Sequence, residues 1–268
     1  MVDLRAFDSW FSGNEWPSAP CPECKLGDLH IRKGSIVTVT TADSDRHRND
    51  PDWEPEWLFG YFHGVIYCTR PVCDEKVVVS GDWRTEWSNT TGNYEDRLRL
   101  RYAMPALPLA VPPVKAPSIV VERLKAVSQV VWTDPASAAN GLRRCVEALL
   151  DHQKVNKTQL TKKGKRRTLS THERIAALKA KQPVAATSLE AVKWVGNQGS
   201  HASFQLTATD CVESALYLDH ALRVLYDTSD AEIIKKAKAV NRAKGIKRRR
   251  DRNSTVTVPD RRSACELD

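Results

Sequence analysis

Two close pairs of cysteines constrain the N-terminal half of the chain more than any other feature. Cys21 and Cys24 flank a Pro-Glu dipeptide, while Cys68 and Cys73 enclose four residues. A β hairpin can bring the second pair beside the first, which completes the tetrahedral four-sulfur shell typical of structural zinc. The sequence therefore predicts a zinc ion held by these four thiolates. Because such a shell leaves no position for water, we expect the metal to be structural and not catalytic.

Two departures from a compact zinc ribbon leave alternatives open. The second pair has a wider spacing than the first, and residues 25–67 between the pairs form a long insertion. His30 and His63 could each replace one cysteine as a ligand. In a reducing cytoplasm, metal binding is favoured over disulfide formation. The other three cysteines are isolated: Cys145, Cys211 and Cys265.

The segments around the cysteine pairs are rich in β-branched and aromatic residues, which predicts strands. The acidic, turn-forming segment 42–56 is interpreted as a surface loop. Six of the eight tryptophans lie in this half, and core packing explains them as well as base stacking does. We expect a small zinc-bound, zinc-ribbon-like β domain over residues 1–104. Its four predicted strands are 34–40, 58–67, 76–80 and 97–102.

A proline-rich linker, residues 105–117, separates this half from a helical half. Capping residues and apolar stripes then predict five or six helices, which would pack as an antiparallel bundle over residues 118–247. The segment 154–167 lacks apolar periodicity and is expected to be a mobile loop between two helices. The fold class predicted is α+β, a β domain followed by an all-α bundle. The expected helix starts are Ser118, Asp134, Ser170, Thr187, Thr207 and Asp230.

The net charge of +8 is unevenly distributed along the chain. Residues 151–181 contain ten basic and two acidic residues, and residues 231–268 contain twelve and five. This segregation favours contact with a polyanion, RNA or DNA, through the basic loop and the basic tail, residues 248–268. The alternative is a solvated lysine-rich loop and a basic tail without a partner. The candidate nucleic-acid-binding residues are Lys162, Lys163, Lys165, Arg166, Arg167, Lys247, Arg248, Arg249 and Arg250.

A polar stripe is the strongest candidate for catalysis. Lys193, Asn197 and His201 follow at four-residue intervals, so a helix would place them on one face. A lysine can hold a phosphate while a histidine moves a proton near neutral pH. The alternative is structural, since Gly196 and Gly199 would permit close helix packing and the histidine would join a hydrogen-bond network.

The sequence predicts a soluble, cytoplasmic protein without a membrane partner. Its apolar runs are too short to cross a bilayer, and the N-terminus lacks the basic start and apolar core of a secretory signal.

The helical half resembles a bacterial domain-of-unknown-function family, DUF4145, which is counted among the HEPN-like bundles. Three segments carry the resemblance, residues 138–150, 192–201 and 237–245. It implies a homodimer whose paired helices bring an Arg-polar-x-x-x-His motif from each subunit to one cleft. It also implies metal-independent ribonuclease activity, which is frequent in toxin and phage-defence systems. Asn197 and His201 match this motif.

The chain departs from the motif at Gly196, which stands where the family has arginine. The loss removes a bidentate phosphate contact. Lys193 could compensate as a point charge, and Arg143 or Arg144 could approach from a neighbouring helix.

Two functions stay open at this stage. We favour a non-catalytic or weakly catalytic module that dimerises and associates with nucleic acid, and whose zinc domain could recruit a protein partner. The alternative is a ribonuclease. In that case His201 would be the general acid or base, Asn197 would orient the phosphate, and Lys193 would offset its charge.

Overall fold

The computed structural model describes residues 4–162, 164–198, 205–227 and 229–243. An N-terminal antiparallel sheet precedes a series of helices, so the predicted α+β class is confirmed. The described residues as far as Asp227 belong to one compact unit, and the final helix belongs to a second.

The four predicted strands are present, and three of them are longer than expected, while the strand predicted at 58–67 keeps its length. A 3-10 helix, Leu4–Asp8, precedes the first strand. The strands are β1 Phe11–Ser12, β2 Leu29–Thr40, β3 Phe59–Cys68, β4 Lys76–Ser88 and β5 Asn93–Met104. The sheet has the order β1-β5-β4-β3-β2, so β2 and the very short β1 form its edges.

The predicted loop 42–56 contains a short helix, α1, Ala42–His47. The Thr41 side chain caps it by accepting a hydrogen bond from the Ser44 N–H. A capping hydroxyl satisfies one of the free amides at a helix start, which is how this acidic segment becomes helical.

Alternation along the strands divides the sheet into a buried and an exposed face. On β3, Phe62 and Ile66 are buried while Phe59 and Tyr61 are exposed. Side chains of a strand alternate between faces, so one face of the sheet joins the core and the other remains open.

Five helices follow the sheet in the first unit. The predicted caps at Asp134, Ser170 and Thr207 are confirmed, and the last two are complete capping boxes. The helices are α2 Ser118–Val130, α3 Pro135–His152, α4 Thr171–Lys179, α5 Pro183–Gln198 and α6 Ala208–Tyr226. In the second unit, α7 spans Ser229–Ala243.

The predicted helix start at Thr187 is wrong. The helix α5 begins at Pro183, and the Thr187 hydroxyl donates a hydrogen bond to the Pro183 carbonyl inside the first turn. Proline is favoured at the first helical position, because the N–H that it lacks has no helical partner there.

The segment 154–167 is not the irregular loop that was expected. Two strands, β6 Thr158–Leu160 and β7 Arg166–Thr168, form an antiparallel hairpin. Gly164, with φ at 72°, provides the left-handed residue of the turn. We call residues 158–168 the basic hairpin.

The sheet and the helices of the first unit share one hydrophobic core. Phe7 and Trp132 pack edge to face with their ring centroids 5.8 Å apart. Asp8 accepts hydrogen bonds of 2.9 Å from Arg99 on β5 and from the Thr209 N–H at the start of α6. Leu107, in the proline-rich segment, is buried as well, so the segment 105–117 packs against its surroundings.

None of the helices in the described ranges combines the length and the apolar character that a membrane span requires.

Candidate functional site

Four cysteine sulfurs converge at one end of the sheet. Cys21 and Cys24 lie in the turn before β2, Cys68 ends β3, and Cys73 lies in the turn before β4. Pairing of Leu29 on β2 with Cys68 brings the two turns together. All four Sγ atoms lie within 4.8 Å of one another, and the distances from Cys21 to Cys73 and from Cys24 to Cys68 are 3.8 Å. Sulfurs arranged tetrahedrally around zinc at about 2.3 Å are about 3.8 Å apart. The four cysteines can therefore hold one metal ion, as the sequence predicted.

The two cysteine turns have similar local geometry. The residue after the second cysteine has a positive φ in both, 59° at Lys25 and 43° at Asp74. Backbone amides point at the sulfurs, since the Gly27 N–H donates to Cys24 at 3.3 Å and the Arg70 N–H donates to Cys68 at 3.4 Å. These amides stabilise the thiolate form, which is the form that binds metal.

The electrostatics of the four thiols are unequal. Hydrogen bonds from the backbone amides of Leu26 and Gly27 lower the pKa of Cys24 to about 6. Burial instead raises the pKa of Cys68 to about 12. Cys24 therefore ionises more readily than Cys68, and a bound cation would have to favour ionisation of Cys68.

Gly27 is a residue of this site that sequence reasoning did not single out. A Cβ atom built there would lie 2.5 Å from the Cys68 sulfur, and the Gly27 carbonyl accepts a hydrogen bond from the Cys21 N–H. The glycine lets the first turn approach the second. Its position three residues after Cys24 is the signal that could have revealed it.

The two histidine alternatives lie outside the sulfur cluster. His30 packs against the Tyr67 ring at a centroid distance of 6.3 Å. His63 is exposed on β3 and pairs with Val37 of β2. The group of possible metal ligands among the described residues consists of the four cysteines.

Two members of the polar stripe, Lys193 and Asn197, lie on α5 as predicted, but the lysine does not face solvent. The Lys193 side chain is 3% exposed. Its Nζ lies 3.2 Å from Nδ1 of His172 on α4 and 3.4 Å from the centroid of the Trp194 ring. In this position Lys193 interacts with its own chain and is not presented to a phosphate. His201 and Gly199 lie outside the described residues.

Gly196 lies at a close contact between α5 and α3. A Cβ there would lie 2.9 Å from the Cβ of Arg143 and 3.1 Å from the Ala139 carbonyl oxygen. An arginine side chain would have to displace α3, so the departure from the family motif has a packing explanation. The glycine thus permits a close contact between two helices of one chain.

Arg143 approaches the stripe from the neighbouring helix. Its Nη1 donates a hydrogen bond of 3.3 Å to Oδ1 of Asn197, and its Nε lies 3.4 Å from a Glu147 carboxylate oxygen. A guanidinium therefore lies beside Asn197 although α5 itself supplies none.

The basic hairpin exposes four of the predicted nucleic-acid-binding residues, and three of them, Lys162, Lys165 and Arg166, form no ion pair in the described part of the chain. Arg167 is engaged elsewhere, since it donates hydrogen bonds of 2.7 and 3.1 Å to Glu173 in the first turn of α4. This guanidinium lowers the pKa of Glu173 to about 2. The remaining predicted residues lie outside the described ranges: Lys163, Lys247, Arg248, Arg249 and Arg250.

Family comparisons match the two halves of the chain separately. Residues 125–249 match a family described as Domain of unknown function (DUF4145), which supports the resemblance to that bacterial family. Residues 9–108, which include all four clustered cysteines, match a second family, Domain of unknown function (DUF8608). Searches of curated proteins and of solved structures gave no match.

Proposed function

We propose that this protein is a non-catalytic, nucleic-acid-associated module of HEPN-like type, whose N-terminal sheet is held by a structural zinc ion. The observation that carries the proposal is the basic hairpin, which exposes cations and is fixed to the first turn of α4.

The hairpin meets the requirements of a phosphate-binding element. Lys162, Lys165 and Arg166 form no ion pair with any acid in the described part of the chain. Cations without internal partners can exchange their counterions for phosphates, and this exchange drives most non-specific binding to nucleic acid. The Arg167–Glu173 pair fixes the base of the hairpin, so less conformational entropy would be lost on binding.

The polar stripe supports a non-catalytic role. Lys193 is buried against His172, and Gly196 contacts α3. Neither residue therefore offers an exposed cation beside Asn197. Charge stabilisation of a phosphate needs donors that face the reacting group.

The metal part of the proposal rests on the ligand chemistry. Four thiolates at tetrahedral spacing are the donor set of structural zinc, and they leave no open position for a substrate or water. The ion would join the turn before β2 to the hairpin of β3 and β4. The surface around it would then be a rigid platform for a protein partner.

The experiment compares nucleic-acid binding of two double variants that lose the same charge. K165A/R166A removes two cations from the hairpin, and K179A/K181A removes two exposed cations from the other end of α4. Binding of labelled single-stranded RNA and duplex DNA is measured by fluorescence anisotropy as a function of salt. We expect the hairpin variant to reduce the slope of log affinity against log salt by about 1.4 to 1.8, and the control to change it much less. Equal slopes for the two variants would refute the hairpin as the contact.

Arg143 favours one alternative, a ribonuclease. Its guanidinium lies beside Asn197 and could supply the positive charge that Gly196 does not. An RNA cleavage assay separates the two functions. Cleavage by the wild type that is abolished in both H201A and R143A would replace the non-catalytic proposal, while binding without cleavage supports it.

A further inference from the structure

The edge strand β2 has an open side. In the sheet order, β2 pairs with β3 alone, whereas the opposite edge is covered in part by β1. Among the residues that the structure describes, no strand pairs with the other side of β2. An edge of this kind can accept another strand, and proteins usually protect it with bulges, charges or proline.

Only one half of β2 has such protection. The ladder with β3 is interrupted by a bulge between Ile31 and Ile36, where Gly34 has φ at 76° and Arg32 and Lys33 are charged. The other half, Ile36–Thr40, has the sequence Ile-Val-Thr-Val-Thr, with β-branched residues throughout and no charge. Its three central side chains are exposed on both faces of the strand. This half is the kind of segment that pairs readily with another strand.

The phase of the ladder shows which backbone groups are available. The Thr41 N–H donates to the Phe59 carbonyl, so the 41–59 position is a hydrogen-bonded pair. Because these pairs alternate along an antiparallel ladder, Val37 and Val39 direct their N–H and C=O groups toward β3. The groups of Ile36, Thr38 and Thr40 therefore point away from the sheet.

We propose that two copies of this chain pair antiparallel through Ile36–Thr40, about a two-fold axis at Thr38. Thr38 then pairs with Thr38 of the second copy, and Ile36 pairs with Thr40 on either side. All three outward-facing residues gain hydrogen-bond partners, and the two sheets become one. A two-fold interface must be self-complementary, and this register satisfies that condition. The proposal does not depend on nucleic-acid binding.

The charge along the edge favours a second copy in this orientation. The bulged end is basic through Lys33 and through Arg32, which is ion-paired with Asp74. Beyond the other end, residues 42–56 contain six acidic and two basic residues and stay net negative although Asp43 and Asp45 are ion-paired with Arg46 and Arg48. Antiparallel pairing places the basic end of one copy beside the acidic end of the other, whereas parallel pairing would place like charges together. Pairing also sets Val37 opposite Val39 of the second copy, which covers two valines that are 48% and 50% exposed.

Charge substitutions on the outer face test both the interface and its register. V37K/V39K places cations opposite each other across the axis, whereas V37K/V39E places a cation opposite a carboxylate. Sedimentation velocity over a range of concentrations is the measurement. We expect a wild-type dimer, a dissociation constant raised at least about tenfold in V37K/V39K, and recovery of the dimer in V37K/V39E. V78K adds a cation to the same exposed face away from the edge and should leave the dimer intact.

A backbone variant tests the hydrogen bonds directly. T38P removes an N–H that points away from β3, so the ladder within the chain keeps its bonds while the edge loses its central donor. Circular dichroism checks that the variant folds. We expect it to be monomeric. A monomeric wild type would overturn the proposal, as would a dimer that persists in both V37K/V39K and T38P.

Discussion

The sheet and the helices of this protein differ in how their chemically interesting residues are arranged. In the sheet, two cysteine pairs that are separated by residues 25–67 converge, so that the four sulfurs lie within 4.8 Å of one another. In the helical half, Lys193 and Asn197 are neighbours on α5, yet one is buried and the other is bonded to Arg143 of α3. Local spacing establishes that two residues share a helix face, but only tertiary packing decides whether that face meets solvent or another helix.

The largest effect is expected when one of the four clustered cysteines is replaced. We expect C68S, or treatment with a strong chelator, to lower the free energy of unfolding by at least about 3 kcal/mol, since loss of a structural metal site removes binding energy that is available only to the folded state. Urea unfolding followed by tryptophan fluorescence gives the change, and mass spectrometry gives the metal content.

C145A provides the control for thiol loss as such. Cys145 is buried in α3, and its pKa is raised to about 12 by burial. Its replacement creates a small cavity and should cost about 1 to 2 kcal/mol with unchanged metal content. If C68S and the wild type contained equal zinc, or if the wild type contained none, the metal assignment would be wrong.

Much of the sheet could be predicted because its signals are local. The thiol pairs and the alternating strands lie in short segments, and the caps of α3, α4 and α6 likewise involve residues three apart. The burial of Lys193 and the contact of Gly196 with α3 could not be predicted in this way. Both depend on the direction in which α5 faces, and a glycine or a lysine in a polar stripe gives no sign of that direction.

A substitution at Gly196 tests the close contact between α5 and α3 in the helical half. G196A introduces a Cβ that meets Arg143 at 2.9 Å and the Ala139 carbonyl at 3.1 Å. We expect a loss of about 1 to 2 kcal/mol in unfolding free energy, because the overpacking exceeds the gain of up to about 1 kcal/mol in helix propensity. Thermal and urea unfolding measure this loss. G196R, which introduces the arginine of the motif that the resemblance implies, should be more destabilising still.

The matched control for this position is Q198A, since Gln198 is exposed two residues further along α5. It should change the unfolding free energy by less than about 0.5 kcal/mol. A neutral or stabilising G196A would mean that α5 has room against α3, and the packing explanation for Gly196 would have to be abandoned.

The smallest expected effect concerns the ion pair that fixes the basic hairpin. The Arg167 guanidinium lowers the pKa of Glu173 from 4.5 to about 2. A carboxyl with a lowered pKa contributes stability above its unfolded pKa, and this contribution is lost as the pH falls from about 4.5 toward 2. The hairpin should therefore stay ordered from neutral pH down to about 4 and loosen below that. Both side chains are more than a third exposed, so the change should be local and global unfolding should hardly respond.

Amide hydrogen exchange of β6 and β7 between pH 7 and 3, corrected for intrinsic rates, measures the loosening directly. R167A is the informative variant, because it should return the Glu173 pKa toward its ordinary value and give fast hairpin exchange already at neutral pH. R166A is the control. Arg166 lies next to Arg167 on β7 and forms no ion pair in the described ranges, so its replacement should leave the exchange of the hairpin amides unchanged. Equal exchange in the two variants would show that the hairpin is ordered by its backbone ladder alone. In that case backbone pairing, and not the ion pair, would set the positions of the hairpin cations. The charge pattern of the sequence does not reveal such pairing, just as it does not reveal the burial of Lys193 on α5.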